Sequence, residues 1–361
     1  MNGLQWFQVI LSLVIQLTIV LGLAWGLERW TSSVLVKARV WSACFVSLLL
    51  MLMIGLLLPR LEWLHPWSSL GPTQLLAVAT TEFVLGKCLL AIWLCGVGVM
   101  LTRWAIQFVR VRAFIRGCPE YSAEMNTRLK QHIPTEMAAP HHDQLLFLEC
   151  PEELGPFCYQ FHRPLIFLPP SLAHGNSTEL EHVLRHELTH LDTQHPMQQF
   201  AQKLAQVLFW FHPLVWISGR RCSLVREFVC DEAASSDAES TASYLRTLLR
   251  LVENQTKSPA GGLMFGRSQS ELKLRARRLV LEQRTPPYSG YWAPALVLLG
   301  AMIAAQVWLP TNPLSPHHSQ YSPWPTWTAS VAHAFGVSLK DFETFDRDLR
   351  VDELIEAQES P

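Results

Sequence analysis

The chain has 361 residues, of which 49% are hydrophobic and only 16% charged. A soluble domain carries roughly 25% charged residues, so the deficit points to a membrane protein. A net charge of -1 leaves no electrostatic case for direct nucleic-acid binding. The 14 Trp fit anchoring in the headgroup zone, and the eight scattered Cys, with no CxxC pair, read as reduced thiols.

In chain order, four stretches are apolar enough to cross a bilayer, which takes about 20 residues. They run from about Trp6 to Leu27, Val40 to Leu58, Phe83 to Leu101 and Tyr288 to Trp308. A cleaved signal peptide is the rival reading of the first, but no Lys or Arg precedes it and no small-residue cleavage site follows. Lys87 sits near one end of the third, where its stem can snorkel to the interface. Basic clusters fix the expected orientation. Arg29, Lys37 and Arg39 lie between the first two stretches. Arg103, Arg110, Arg112 and Arg116 follow the third, and Lys273, Arg275, Arg277, Arg278 and Arg284 precede the fourth. All fall on the cytoplasmic side if the N-terminus is outside. The tail from Pro310 is then extracytoplasmic, and no internal repeat is visible.

The segment Glu179 to Leu191 reads as a helix, with Thr178 as its N-cap and acids in the first turn. It contains His186-Glu187-Leu188-Thr189-His190. Residues four apart share a helix face, so both imidazoles can reach one metal ion, and Glu187 can contact a metal-activated water without binding the metal. The bland alternative is a solvated helix that carries His and Glu by chance. A catalytic zinc needs a third protein ligand and an open position. Glu227 and Asp231, again four apart, are the candidates. One can ligate while the other supports a ligand, for instance by accepting the free N–H of His186. On spacing alone Glu227 can equally be a surface acid. His195, before Pro196, reads as a helix-terminus residue, His212 as structural and Cys230 as a buried, inert thiol. The run Val207 to Ile217 is too short to cross a membrane and reads as a buried or interfacial helix under the site.

His186 to His190, the run Phe209 to Trp216, Glu227 to Ala233, and the stretches Gly155-Pro156-Phe157 and Arg163 to Pro169 together resemble the BlaR/MecR-type integral-membrane metallopeptidases. The resemblance covers about Trp6 to Trp308. It implies a four-span α-helical membrane bundle. A cytoplasmic α+β gluzincin-like zinc peptidase domain would be inserted between spans three and four. The expected divisions are 1–102 for three spans, 103–287 for the peptidase, 288–309 for span four and 310–361 for the tail. The resemblance makes Glu227 the third zinc ligand. It also makes the strand Pro164, Leu165, Ile166, Phe167 and Leu168 a sheet edge to which a substrate could add a strand. Its implied setting is a bacterial cytoplasmic membrane. Its implied partners are membrane lipid, a second copy in a homodimer, and a protein substrate that is the chain itself or a transcriptional repressor. Two departures stand out. Relatives carry basic residues and an Asp just after the second His, where this chain has Asp192-Thr193-Gln194-His195-Pro196. The antibiotic sensors carry a penicillin-binding domain, whose S-x-x-K and K-T-G motifs the tail lacks.

Pro310 to Pro325 reads as an extended linker. Ser338-Leu339-Lys340-Asp341 resembles a capping box, opening a short amphipathic helix through Leu339, Phe342, Phe345, Leu349 and Ile355. The loop Ser258-Pro259-Ala260-Gly261-Gly262, within Glu253 to Ser270, is the expected place of a regulatory cut. Two alternatives to a signalling peptidase stay open: a membrane quality-control or prenyl-processing metallopeptidase, and a non-catalytic transducer that keeps a zinc fold. An intact Glu187 argues against the second, since a structural site has no use for a general base.

Overall fold

The computed structural model describes residues 3–57, 61–62, 71–134, 137, 144–152, 154–160, 163–235, 238–256, 269–281, 291–308 and 336. The membrane-side elements are α1 (Gly3–Trp30), α2 (Val34–Leu57), β1 (Leu61–Glu62) and α3 (Pro72–Gly117). The sheet-bearing region follows with α4 (Ala123–Gln131), β2 (Leu146–Glu149), β3 (Phe157–Gln160), β4 (Pro164–Leu168), α5 (Pro170–Ala173), α6 (Ser177–Asp192), α7 (His195–Leu208), α8 (Pro213–Ala234), α9 (Ala238–Thr256) and α10 (Gln269–Leu281). The chain then returns to the bundle through α11 (Ala293–Gln306) and β5 (Val307–Trp308). Both the expected cut loop and the tail features lie outside the described residues.

Three helices are long and apolar enough to cross a membrane, at Trp6–Trp30, Val34–Met53 and Thr73–Gly117. Helix α3, at 46 residues, is about 69 Å long, more than twice a bilayer core, so the third stretch is the middle of a rod that runs from Pro72 to Gly117. The fourth stretch is different. Its described helix has 14 residues, about 21 Å, which is short of a bilayer core by itself. Helix α11 nevertheless packs along α2 and α1. Gln16 of α1 donates to the carbonyls of Ala305 (3.4 Å) and Val307 (2.8 Å), satisfying backbone acceptors where α11 ends. Beyond it β5 pairs in parallel with β1.

One apolar core joins α1, α2 and α11 to α7 and α8. Leu17, Leu21, Trp41, Phe45, Leu48, Val297 and Ala301 are buried in the same cluster as Val215, Cys222 and Val225 of α8. A second core, with Leu129, Phe147, Ile166, Leu184, Leu188 and Leu191, seats the sheet against α6.

The three-stranded sheet has the order β2-β4-β3, with β2 parallel and β3 antiparallel to β4. The strand Pro164–Leu168 is therefore central and not an edge, because both its hydrogen-bonding sides are occupied. The outer side of β2 is covered as well: Glu149 N–H donates to Pro119 O (2.9 Å) and Tyr121 N–H to Phe147 O (3.3 Å). Among the described residues β3 carries the open edge, and it lies against α6 and α7.

Two local expectations are also corrected. The run Val207 to Ile217 is not one helix: it takes in the end of α7, a turn over Phe209–His212 and the start of α8. Pro213 at the first position of α8 cannot continue a preceding helix but is preset for a new one. The N-cap of α6 is Asn176, whose side chain accepts from Thr178 N–H at 2.9 Å, so Thr178 lies inside the first turn.

Candidate metal centre

Helix α6 buries Leu180, Val183, Leu184, Leu188 and Leu191 on one face and presents His182, His186 and His190 at four-residue intervals on another. That second face meets α8. His186 and Glu187 are only 4% and 3% exposed. Glu227 of α8 reaches both imidazoles: Oε2 is 3.6 Å from His186 Nε2 and Oε1 is 3.6 Å from His190 Nε2. Ligand atoms about 2 Å from a tetrahedral zinc are roughly 3.3 Å apart, so the spacing fits an ion between these groups. His186 Nε2 is buried without a hydrogen-bond partner, as expected of a lone pair aimed at a metal.

Sequence spacing placed Asp231 behind His186, and the structure inserts a relay. The direct Nδ1–Oδ1 separation is 3.5 Å, while the hydroxyl of Tyr244 lies 2.9 Å from His186 Nδ1 and donates to Asp231 Oδ1 at 2.7 Å. With Nε2 turned to a metal, Nδ1 carries the proton and donates to the Tyr244 oxygen. Arg275 of α10 closes the network. Its Nε donates to Asp231 Oδ2 at 2.8 Å, its Nη2 to Asp231 Oδ1 and more weakly to the Tyr244 hydroxyl, and its Nη1 lies 3.0 Å from Glu227 Oε2. Arg275, grouped in the sequence with the basic residues before span four, is thus buried, and the Asp231 and Glu227 charges raise its pKa well above normal against the opposing effect of burial.

His195 stands at the start of α7 and is also part of the site. Gln194 takes a left-handed conformation (φ 54°) that turns the chain sharply after α6 and brings His195 Nδ1 to 2.9 Å from His190 Nδ1. A metal on His190 Nε2 makes His190 Nδ1 the donor, so His195 must stay neutral to accept. Its environment agrees: burial first, then the Arg226 charge, pushes it down to about 3. His212 takes no part in this cluster and lies 3.2 Å from the Thr18 hydroxyl on α1.

Cys230 of α8 is fully buried and its sulfur lies 3.6 Å from His195 Nδ1. Potential ligand atoms of His186, His190 and Cys230 fall within 4.8 Å of one another, so a His/His/Cys set can also hold a metal. Burial and then the Glu227, Asp231 and Glu187 charges hold this thiol well above its usual pKa. On β3, Cys158 hydrogen-bonds Glu187. Burial first, then the Glu187 charge and that hydrogen bond, raises its pKa well above normal.

Tyr244, Arg275, His195 and Cys158 therefore join the residues legible from motif spacing. Each comes from an element other than the two that carry the motifs, and none has a local pattern that marks it.

The BlaR1 peptidase M56 family model matches residues 4–279. Among curated proteins, Regulatory protein BlaR1 of Bacillus licheniformis is 23% identical over 201 residues, which is 55% of this chain and 33% of that protein. The chain thus spans about a third of the length of the curated relative it matches. Because the matched residues take in the three long apolar helices, the histidine and acid cluster and the helix that brings Arg275 to it, the chain belongs to the BlaR1 peptidase M56 family.

Proposed function

We propose that this chain is a membrane-anchored zinc endopeptidase, with His186, His190 and Glu227 as metal ligands and Glu187 as general base. The observation that carries the reading is the Glu227 carboxylate, each oxygen 3.6 Å from one of the two Nε2 atoms. When bound, zinc supplies the Lewis acidity that polarises a carbonyl and makes water a competent nucleophile near neutral pH. Glu187 takes the proton of the attacking water and returns it to the leaving amine, which completes hydrolysis. The Cys158 contact puts this carboxylate beside β3, so a substrate strand added to that open edge would run past the base. This moves the expected docking strand from Pro164–Leu168 to Phe157–Gln160.

The family and the relative's designation as a regulatory protein support a protein substrate in signalling; the substrate proposed is the chain itself or a cytoplasmic regulator such as a transcriptional repressor. The proposed topology keeps α11 as the fourth span, with the peptidase cytoplasmic and the N-terminus and tail outside. In its support, the β1–β5 pair puts the end of α11 beside the segment after α2, at one end of the bundle. A comparison of protein N-termini in membranes holding the wild type or Glu187→Gln tests the activity. The reading expects at least one new terminus that only the wild type generates, and two identical sets would overturn it.

A further inference from the structure

A buried arginine is costly unless its donors are matched, and a zinc-bound imidazole is oriented by whatever its other nitrogen meets. Arg275 and Tyr244 answer both requirements in one network. The Arg275 side chain is 2% exposed; Nε and Nη2 donate to Asp231, and Nη1 forms an ion pair with Glu227 Oε2 at 3.0 Å. The planar fork grips Asp231 with two donors and still reaches Glu227 with the third nitrogen, a geometry an ammonium cannot reproduce. Asp231 in turn accepts from Tyr244, whose oxygen faces His186 Nδ1.

We infer that Arg275 and Tyr244 are positioning residues of the metal site. Arg275, from α10, aims the Glu227 carboxylate and locks Asp231; Tyr244, from α9, carries that order to His186. The inference rests on the ligand set proposed above. Arg275 is shared between the Asp231 and Glu227 carboxylates, so one cation faces two anions and a net negative charge is left for the metal. The site is then complete only when α10 is docked on α8, although α10 contributes no ligand. Elements α6 and α8 supply the ligands, and α9 and α10 hold them.

Zinc affinity separates this role from a purely structural or purely electrostatic one. The full-length protein in detergent is titrated with zinc against a chromophoric chelator, and Co2+ substitution reports the ligand geometry by its visible absorption. Tyr244→Phe keeps the ring and should fold; it is expected to weaken zinc about 10- to 100-fold and to shift the Co2+ bands. Arg275→Lys, which keeps the charge, should weaken zinc about as much as Arg275→Gln. If Arg275→Lys binds like the wild type while Arg275→Gln binds more tightly, Arg275 is only a repelling charge and the inference falls. Wild-type affinity and Co2+ spectrum in Tyr244→Phe also overturn it. His186→Ala is the control for the ligand set: retention of metal there defeats the underlying reading, whereas loss there with unaltered Tyr244 and Arg275 variants defeats this inference alone.

Discussion

The two halves of α8 are held by different chemistry. Its first half is fixed to the bundle: Val215 and Cys222 share the core of α1 and α2, which Leu224, Val225, Phe228 and Val229 continue along the second half, and Trp25 Nε1 donates to Ser218 Oγ at 3.0 Å. Its charged contact there is Arg221 with Glu28, at 2.7 Å, and Glu28 also accepts from Trp41 Nε1 at 3.1 Å. Glycine at 219 lets α7 approach, since a Cβ there would fall 2.2 Å from the Gln206 amide, and Gln202 donates to its carbonyl at 3.0 Å. The second half carries Glu227, Cys230 and Asp231 into the metal centre. The Arg221 side chain is 33% exposed, whereas Asp231 and Arg275 are each 2% exposed. Water can take over one partner of the first pair and neither of the second. The bundle end fixes where the helix lies, and the metal end depends on every partner being present. Six positions, about 9 Å of helix, separate Arg221 from Glu227.

The contrast can be broken by removing one partner at each end. Asp231→Ala strands a buried guanidinium and should cost about 3–5 kcal/mol in thermal or denaturant unfolding in detergent. The next effect is pH-dependent. The pKa of His195 is lower in the folded state than its ordinary value near 6.5, so the unfolded chain binds the proton first. Stability of the metal-free protein is therefore full above about pH 6.5 and falls as pH drops toward about 3; His195→Gln should flatten that slope. Glu28→Gln leaves Arg221 a path to solvent and should cost about 1–2 kcal/mol, with zinc affinity unchanged. If Glu28→Gln destabilises as much as Asp231→Ala, the two ends are not held differently. The smallest effect is Asn176→Ala, which removes the cap of α6 and should cost about 1 kcal/mol.

The pattern of these residues also explains what the chain disclosed before folding. His186, Glu187 and His190 are legible because helix periodicity puts them on one surface within a turn. Glu227 and Asp231 are legible by the same spacing, although which one faces the metal depends on how α8 crosses α6. Arg275 is read from sequence as one of five basic residues before an apolar run, since nothing in Leu272 to Arg278 says which cation turns inward. Tyr244 and His195 are hidden for the same reason, their contacts spanning 58 and 5 residues across separate helices. The sheet order is a long-range outcome too: β2 pairs with β4 over β3, so chain order alone makes the wrong strand the edge. Hydropathy recovers the three long helices, but the fourth apolar run includes residues of β5, whose extended backbone a hydropathy profile cannot separate from helix.

Glu227 and Cys230, one turn apart on α8, compete for the third place in the metal set. Metal content of the purified full chain, measured for the wild type, Glu227→Gln and Cys230→Ser after dialysis against a mild chelator, decides between them most directly. About one zinc per chain is expected in the wild type and in Cys230→Ser, as for a four-coordinate site with three protein ligands, with a marked loss in Glu227→Gln. Retention of zinc by Glu227→Gln together with its loss from Cys230→Ser would contradict Glu227 as the third ligand.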